Sequence, residues 1–163
     1  MTKLTKTPIT TISTEMHELF EKHLGPGRFA RTAYRVREQA TPEKVEGINV
    51  FENNKLVGTV SITPMQINGD TLTYLLGPLL IDESHRSKGL GLELIKDAIE
   101  LAKSQSAKAV LLVGDIAYYK KSGFKQIPMG QITLPGPVDP TRLLIFEITE
   151  GILKELKGQA KAI

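Results

Sequence analysis

Leu79-Leu80-Ile81-Asp82-Glu83-Ser84-His85-Arg86-Ser87-Lys88-Gly89-Leu90-Gly91-Leu92-Glu93-Leu94 is the stretch from which the rest of the chain can be read. An apolar, strand-like run ends at Ile81, a short polar turn follows, and a long amphipathic helix pattern begins at once. The unpaired N–H groups of a helix's first turn, with the positive end of its dipole, make a ready site for phosphate. Glycine at 89 and 91 leaves no Cβ to keep an anion from the backbone, and Arg86 and Lys88 add positive charge. The stretch predicts a pyrophosphate cradle. A lone glycine pair would also serve a simple tight turn between strand and helix.

Beyond the loop, Leu90, Leu94, Ala98, Leu101 and Ala102 share one helical face, widened by Ile95 and Ile99, so the helix should pack on a sheet as far as about Gln105. Residues 108–113 read as a buried strand, and the helical crossover makes it a parallel neighbour of the strand before the loop. Gly114-Asp115 opens a short helix holding Tyr118 and Tyr119, and Ser122-Gly123-Phe124 ends it. Asp115 is either its N-cap or a carboxylate that orients an acceptor.

Upstream, a strand over about 71–81 is interrupted by Gly77-Pro78. Proline cannot donate to a ladder, so a bulge or splay is expected there, with backbone groups left free for a ligand. Asn68-Gly69-Asp70 turns into this strand, and residues 48–51 and 56–62 form a hairpin through Asn53-Asn54-Lys55. Residues 9–12 suggest a first strand, followed by a helix capped by Ser13 or Thr14, with Met16, Leu19, Phe20 and Leu24 on one face. Gly25-Pro26-Gly27 stops it. In the next helical segment Phe29, Ala33 and Val36 form one stripe and Arg28, Arg31 and Arg35 another, either a solvated face or a rim that attracts an acidic acceptor or partner. Residues 134–140 read as a rigid connection, 142–148 as a last strand, and the tail 151–163 as a short helix or a frayed end.

A chain of 163 residues, 40% of them hydrophobic, fits one domain over 1–163, with a core at about 8–148 and a tail at 151–163. The absence of cysteine excludes disulfides, thiol catalysis and cysteine-ligated metals. His17, His23 and His85 have no ligand-like spacing, so no metal site is expected. A net charge of +3 favours an anionic ligand but lacks the dense clustering of a nucleic-acid binder, which leaves RNA contact through the arginine row the weakest reading. Residues 1–11 hold no apolar signal region and no run reaches membrane-span length, so a soluble, cytoplasmic protein is expected.

A nucleotide-hydrolysing loop would need Gly-Lys-Ser/Thr, and a dinucleotide fold a third glycine where Leu94 stands, and this sequence has neither. Arg86-x-x-Gly89-x-Gly91 after one strand, with Tyr118-Tyr119-Lys120-Lys121-Ser122-Gly123-Phe124 after the next, resembles the acetyl-CoA-binding core of the GNAT acetyltransferase superfamily. Gly25-Pro-Gly-Arg-Phe-Ala-Arg-Thr-Ala-Tyr34, Leu76-Gly-Pro-Leu79 and the proline-rich connection at 134–140 look like a bacterial branch of predicted, mostly uncharacterised N-acetyltransferases.

The resemblance implies an α/β (α+β) fold, in which a mixed sheet has splayed central parallel strands flanked by helices. It implies acetyl-CoA as cosubstrate, with the backbone of Leu79 and Ile81 pairing with the pantetheine arm as an added strand. The amides of Ser87, Lys88, Gly89, Leu90, Gly91 and Leu92, with the side chains of Arg86 and Lys88, would hold the pyrophosphate, and an N–H near Ile81 would meet the oxyanion. Tyr119, four residues before Gly123, takes the place of the family's general acid, while Tyr118 is expected in the core. The glutamate base of many family members has no counterpart in 71–81, which leaves a water chain as the default, and the loop between Val113 and Tyr119 is shorter than in members whose asparagine contacts the cofactor. The activity so implied is direct transfer of acetyl to a primary amine on a small molecule or peptide. The alternative is a non-catalytic acyl-CoA-binding sensor or partner module. Oligomeric state stays open, a homodimer being common among similar families.

Overall fold

The computed structural model of the protein describes residues 3–163, the side chains of Phe29 and Ala30 excepted, so the expected place of Phe29 on a helical stripe lies outside the described residues. The first strand, β1 (Leu4–Pro8), comes earlier than the sequence suggested. It pairs antiparallel with β2 (Glu46–Glu52), from Leu4 opposite Glu52 to Pro8 opposite Ile48, whereas residues 9–12 form no strand. An edge strand with neither face buried carries no apolar alternation to read. Its Lys6 instead forms ion pairs with Glu93 and Asp97 on the neighbouring helix.

Asn53 and Asn54 take φ of 50° and 62°, the backbone of a tight hairpin turn, and return the chain into β3 (Lys55–Ile67). β3 runs past Pro64, where the expected strand had stopped at Ile62. The ladder from β2 ends at Ile62, so the missing N–H of Pro64 costs no hydrogen bond. β4 (Thr71–Ile81) pairs antiparallel with β3, and β5 (Ala109–Val113) pairs parallel with β4. Short strands β6 (Lys125–Gln126) and β7 (Ile132–Thr133) follow, then β8 (Leu143–Glu147), β9 (Gly158–Gln159) and β10 (Lys161–Ala162). The main sheet runs β1-β2-β3-β4-β5-β8-β6, with β10 on the far end of β3, while β7 and β9 form a small parallel pair.

Helix α1 (Thr14–Leu24) is capped by Ser13, whose hydroxyl accepts from Met16 N at 3.2 Å, and ends at Gly25 with φ of 65°. A short 3-10 turn, Pro26–Ala30, leads into α2 (Thr32–Gln39). Helix α3 (Leu90–Ser104) crosses one face of the sheet, burying Leu94, Ile95, Ala98 and Ala102 against Val60, Tyr74, Leu76 and Val110. Val36 of α2 lies on the other face with Leu75 and Leu111. There Met16, Leu19 and Phe20 of α1 also meet Leu56 and Leu80. The last helix, α4 (Ile116–Tyr119), continues into a 3-10 turn closed by Gly123 at φ of 90°. The tail neither frays nor forms a regular helix: it makes a 3-10 turn at Ile152–Lys154 and closes through β10 onto Met65 and Gln66 of β3.

Candidate active site

β4 and β5 pair only from Thr73 opposite Ala109 to Leu75 opposite Leu111. Beyond that level the two strands part. Two β3 steps, from Val60 to Ile62, face three β4 steps, from Leu79 to Leu76, so Gly77-Pro78 supplies one extra residue and forms the expected bulge. Its effect is to invert the parity of β4. Before it, Leu72 O accepts from Lys108 N at 2.9 Å, so even-numbered residues offer their backbone to β5. After it, Asp82 N donates to Val57 O at 2.8 Å, so even-numbered residues face β3 and the backbone of Leu79 and Ile81 turns to the gap. The side chains invert too: Leu79 and Ile81 join the α3 side of the core, while Leu80 goes to α1.

Two cavities open from the gap and share Leu79, Leu80 and Tyr119 as walls. One, about 540 Å³, lies toward α3 and includes Ile81, Arg86, Ser87, Gly89, Gly91 and Leu92. The expected site residues are thus drawn around one groove, with Lys88 in the same loop and Leu90 buried as the first residue of α3. Gly89 sits at φ of 85°, and a Cβ there would meet nothing within 4 Å, so the requirement for glycine is conformational. α3 has no side-chain cap, and the N–H groups of Leu90, Gly91 and Leu92 precede its first intrahelical bond, Glu93 N to Gly89 O at 3.1 Å.

At Gly91 a Cβ would stand 2.5 Å from the hydroxyl of Tyr118, so that glycine first of all makes room for a phenol. Tyr118 is accordingly no core residue. It is 37% exposed and lines the groove, because its hydroxyl reaches over the start of α3 instead of into the sheet. Both loop cations are engaged by the protein itself, Arg86 by the end of β4 and by α1, Lys88 by its own loop. Arg86 Nε donates to Ile81 O at 3.1 Å and its terminal nitrogen to His23 Nδ1 at 2.8 Å, while Lys88 Nζ donates to Ser84 O at 2.9 Å. Burial, then the adjacent Arg86, push the His23 pKa down, which favours the neutral ring that accepts this bond. Asp82 anchors the end of β4 to α1 through Lys22 at 3.1 Å. Its carboxyl is held down at about 2, first by the Ser84 hydroxyl and then by Lys22.

Tyr119 stands between the two cavities. Burial, and Tyr118 beside it, push its pKa up to about 12, so the phenol keeps its proton throughout the neutral range. Asp115 is the N-cap of α4, accepting from Ala117 N at 3.0 Å, and lines neither cavity. Among the described residues no carboxylate lines either cavity. The second cavity, about 180 Å³, lies on the α1–α2 side, where Arg28, Arg31, Tyr34 and Arg37 line it. The arginine row is therefore divided: Arg28 and Arg31 face the cavity, whereas Arg35 lies exposed beside the Gly136 segment. Arg37, which the sequence reading passed over, completes the row, and the three-residue spacing 28, 31, 34, 37 is the signal that could have found it.

A mixed sheet parted along one parallel pair, with an uncapped helix N-terminus beside the gap, is the fold of an acyltransferase. The chain belongs to the acetyltransferase (GNAT) family, whose model matches residues 13–124. A relative from Escherichia coli (strain K12), the uncharacterized N-acetyltransferase YhbS, is 28% identical over 108 residues, 66% of this chain and 65% of that protein. The crystal structure of a GNAT family N-acetyltransferase (YhbS) from Escherichia coli in complex with CoA matches the fold with a TM-score of 0.82 at 18% identity, over 100% of this chain and 91% of that one. A GNAT family acetyltransferase from Brucella melitensis in complex with acetyl-CoA matches with a TM-score of 0.61 at 18% identity, over 91% of this chain and 98% of that one. Among the described residues no helix is long and apolar enough to cross a membrane, and no group of three His, Cys, Asp or Glu is placed to hold a metal.

Proposed function

We propose that the protein is an acetyl-CoA-dependent N-acetyltransferase that moves acetyl directly to a primary amine. The observation that carries this reading is the pair of cavities on either side of Tyr119, the groove at α3 and the second cavity, which share Leu79, Leu80 and Tyr119 as walls along the edge of β4 that β5 leaves unpaired. Acetyl-CoA fits it by chemistry. The uncapped first turn of α3 and the loop around Gly89 suit its pyrophosphate, with Arg86 and Lys88 adding charge. The backbone of Leu79 and Ile81 suits the amide-bearing pantetheine arm, which docks as an added strand and brings the thioester toward Tyr119.

The neutral amine attacks the thioester carbonyl, a C–N bond forms, and the oxyanion is met by backbone N–H groups of the freed edge. On collapse the C–S bond breaks. The departing sulfur takes the phenolic proton of Tyr119, the new amide loses its extra proton to water, and water restores the phenol. The products are the N-acetyl amine and free CoA. Burial that raises the phenol also raises the basicity of a thiolate formed against it, so both partners shift in the same direction.

Thiol release from acetyl-CoA over a panel of amines and peptides, with acetyl-CoA affinity measured in parallel by calorimetry, tests the reading. Tyr119→Phe should lower turnover by roughly 10²–10⁴-fold with cofactor affinity kept within about twofold. Unchanged turnover removes the phenol from the chemistry. Tight acetyl-CoA binding without transfer to any amine would favour the acyl-CoA sensor.

A further inference from the structure

The second cavity carries charge of one sign. Arg28, Arg31 and Arg37 contribute to its wall and no Asp or Glu does, among the described residues. Arg28 is nearly buried and ion-paired with Glu21. Arg31, at the N-cap of α2, is exposed on the rim. Arg37 is fixed more firmly: its guanidinium donates to Gly77 O at the β4 bulge and lies 5.8 Å from the centre of the Phe20 ring and 5.9 Å from that of Tyr34. Its Nε is buried without a hydrogen-bond partner. Burial pulls the Arg37 pKa down to about 10, with Tyr34 opposing the shift in part. The phosphates of a bound acyl-CoA do not answer this charge, because their cradle at α3 lies in the other cavity.

The inference rests on the proposed transfer reaction: with acetyl-CoA in the α3 groove, the second cavity, across Tyr119 from it, is the space left for the acceptor, and we infer that the acceptor is a small amine that also carries an anionic group, a carboxylate or a phosphate, held by Arg31 and Arg37 while its nitrogen faces Tyr119. The guanidinium of Arg37, pre-set by its carbonyl and ring contacts, keeps N–H donors beyond the one given to Gly77 O, and a carboxylate or phosphate is the acceptor that suits them. The same positive wall disfavours an ammonium ion beside it. It therefore shifts a bound amine toward its neutral, nucleophilic form, in a site whose lining offers no carboxylate base. Polyamines and other polycations are disfavoured for the same reason.

Matched pairs of acceptors test the inference: β-alanine against β-alaninamide for the carboxylate, and O-phosphoethanolamine against ethanolamine for the phosphate, with rates corrected for the fraction of free amine. The anionic member of at least one pair should exceed its neutral partner at least tenfold in kcat/KM, and the larger ratio identifies the anion. Arg31→Ala, on the exposed rim, and Arg37→Gln, which removes the guanidinium, should each reduce that ratio at least threefold while acetyl-CoA affinity stays within twofold. If Arg37→Gln fails to bind acetyl-CoA, Arg31→Ala alone decides. Neutral or polycationic amines preferred by the wild type, or a ratio unmoved by the variants, would overturn the inference. If no amine is acetylated although acetyl-CoA binds, the transferase reading fails separately. The CoA-saturated protein is then titrated with the same pairs, where tenfold tighter binding of the anionic member sustains the inference and equal binding ends it.

Discussion

The phenol of Tyr119 is held by packing: its ring meets Tyr118 edge-on at 5.0 Å and Phe124 at 5.9 Å, and a Cβ on Gly114 would lie 2.4 Å from its Cε2. The same packing keeps it protonated, its pKa being raised to about 12. A raised pKa on a group that works as an acid extends its range upward, so the donor form is lost only as pH passes the raised value. The kcat/KM for acetyl transfer should therefore climb as the free amine deprotonates and show no downturn below about pH 11. A pH–rate profile that falls with an apparent pKa near that of an ordinary phenol, about 10, would detach the alkaline limb from a buried Tyr119. That Tyr119 lies at the gap was legible because it is placed by counting from Gly123, a local feature of the chain. Arg37 was not: its role comes from Phe20 on another helix and from the Gly77 carbonyl released by a bulge, neither of which is near it in sequence. Tyr118 misled for the same reason, since a neighbouring helix with glycine at position 91 gives its hydroxyl a place outside the core.

β4 shows how one additional residue turns the other edge of a ladder strand toward an unpaired gap. Without the insertion at Gly77-Pro78, the groups of Leu79 and Ile81 would be committed to β3 and those of Leu80 would face the gap. Deleting Pro78 should restore the regular register and remove two backbone partners from the groove. At about 0.5–1.5 kcal/mol for each net hydrogen bond, acetyl-CoA affinity should fall roughly five- to 150-fold. Pro78→Ala keeps the residue count and should bind within about threefold of wild type, measured by calorimetry beside a melting curve for each variant. Equal affinity in the deletion would show that the edge plays no part. The bulge could be expected from the sequence because glycine and proline inside an apolar strand have a local meaning. The parity inversion could not, since it depends on which partner each half of β4 pairs with. Elements with a buried face were read nearly to the residue, as with β4 and α3. The exposed edge strand β1 and the continuation of β3 past Pro64 were misplaced, because pairing alone defines them.

At the scale of the whole molecule, the side of the sheet that carries α2 and the second cavity is backed by the end of the chain. Ile152, Leu156 and Ala160 are buried in the cluster that backs Leu75 and Leu111, the last paired residues before β4 and β5 part. Ile163 ties two elements at once: its N–H donates to Pro64 O at 3.2 Å on β3, and its carbonyl accepts from Thr41 N at 3.1 Å just beyond α2, the helix bearing Arg37. Truncation after Glu150 removes all of these contacts. Two large buried side chains at about 1.5–3 kcal/mol each amount to roughly 3–6 kcal/mol, comparable with the whole stability of a small domain. Urea denaturation should show a loss of that order, and Leu156→Ala alone about 2–4 kcal/mol. Because the tail supports α2 and the floor of the gap, whereas the groove proposed for the pyrophosphate is built on α3 and β4, the milder variant should impair the two proposed substrates unequally. In Leu156→Ala the KM for the amine should rise several-fold more than that for acetyl-CoA. Equal changes in both would mean that the tail supports the fold as a whole and not the acceptor cavity in particular.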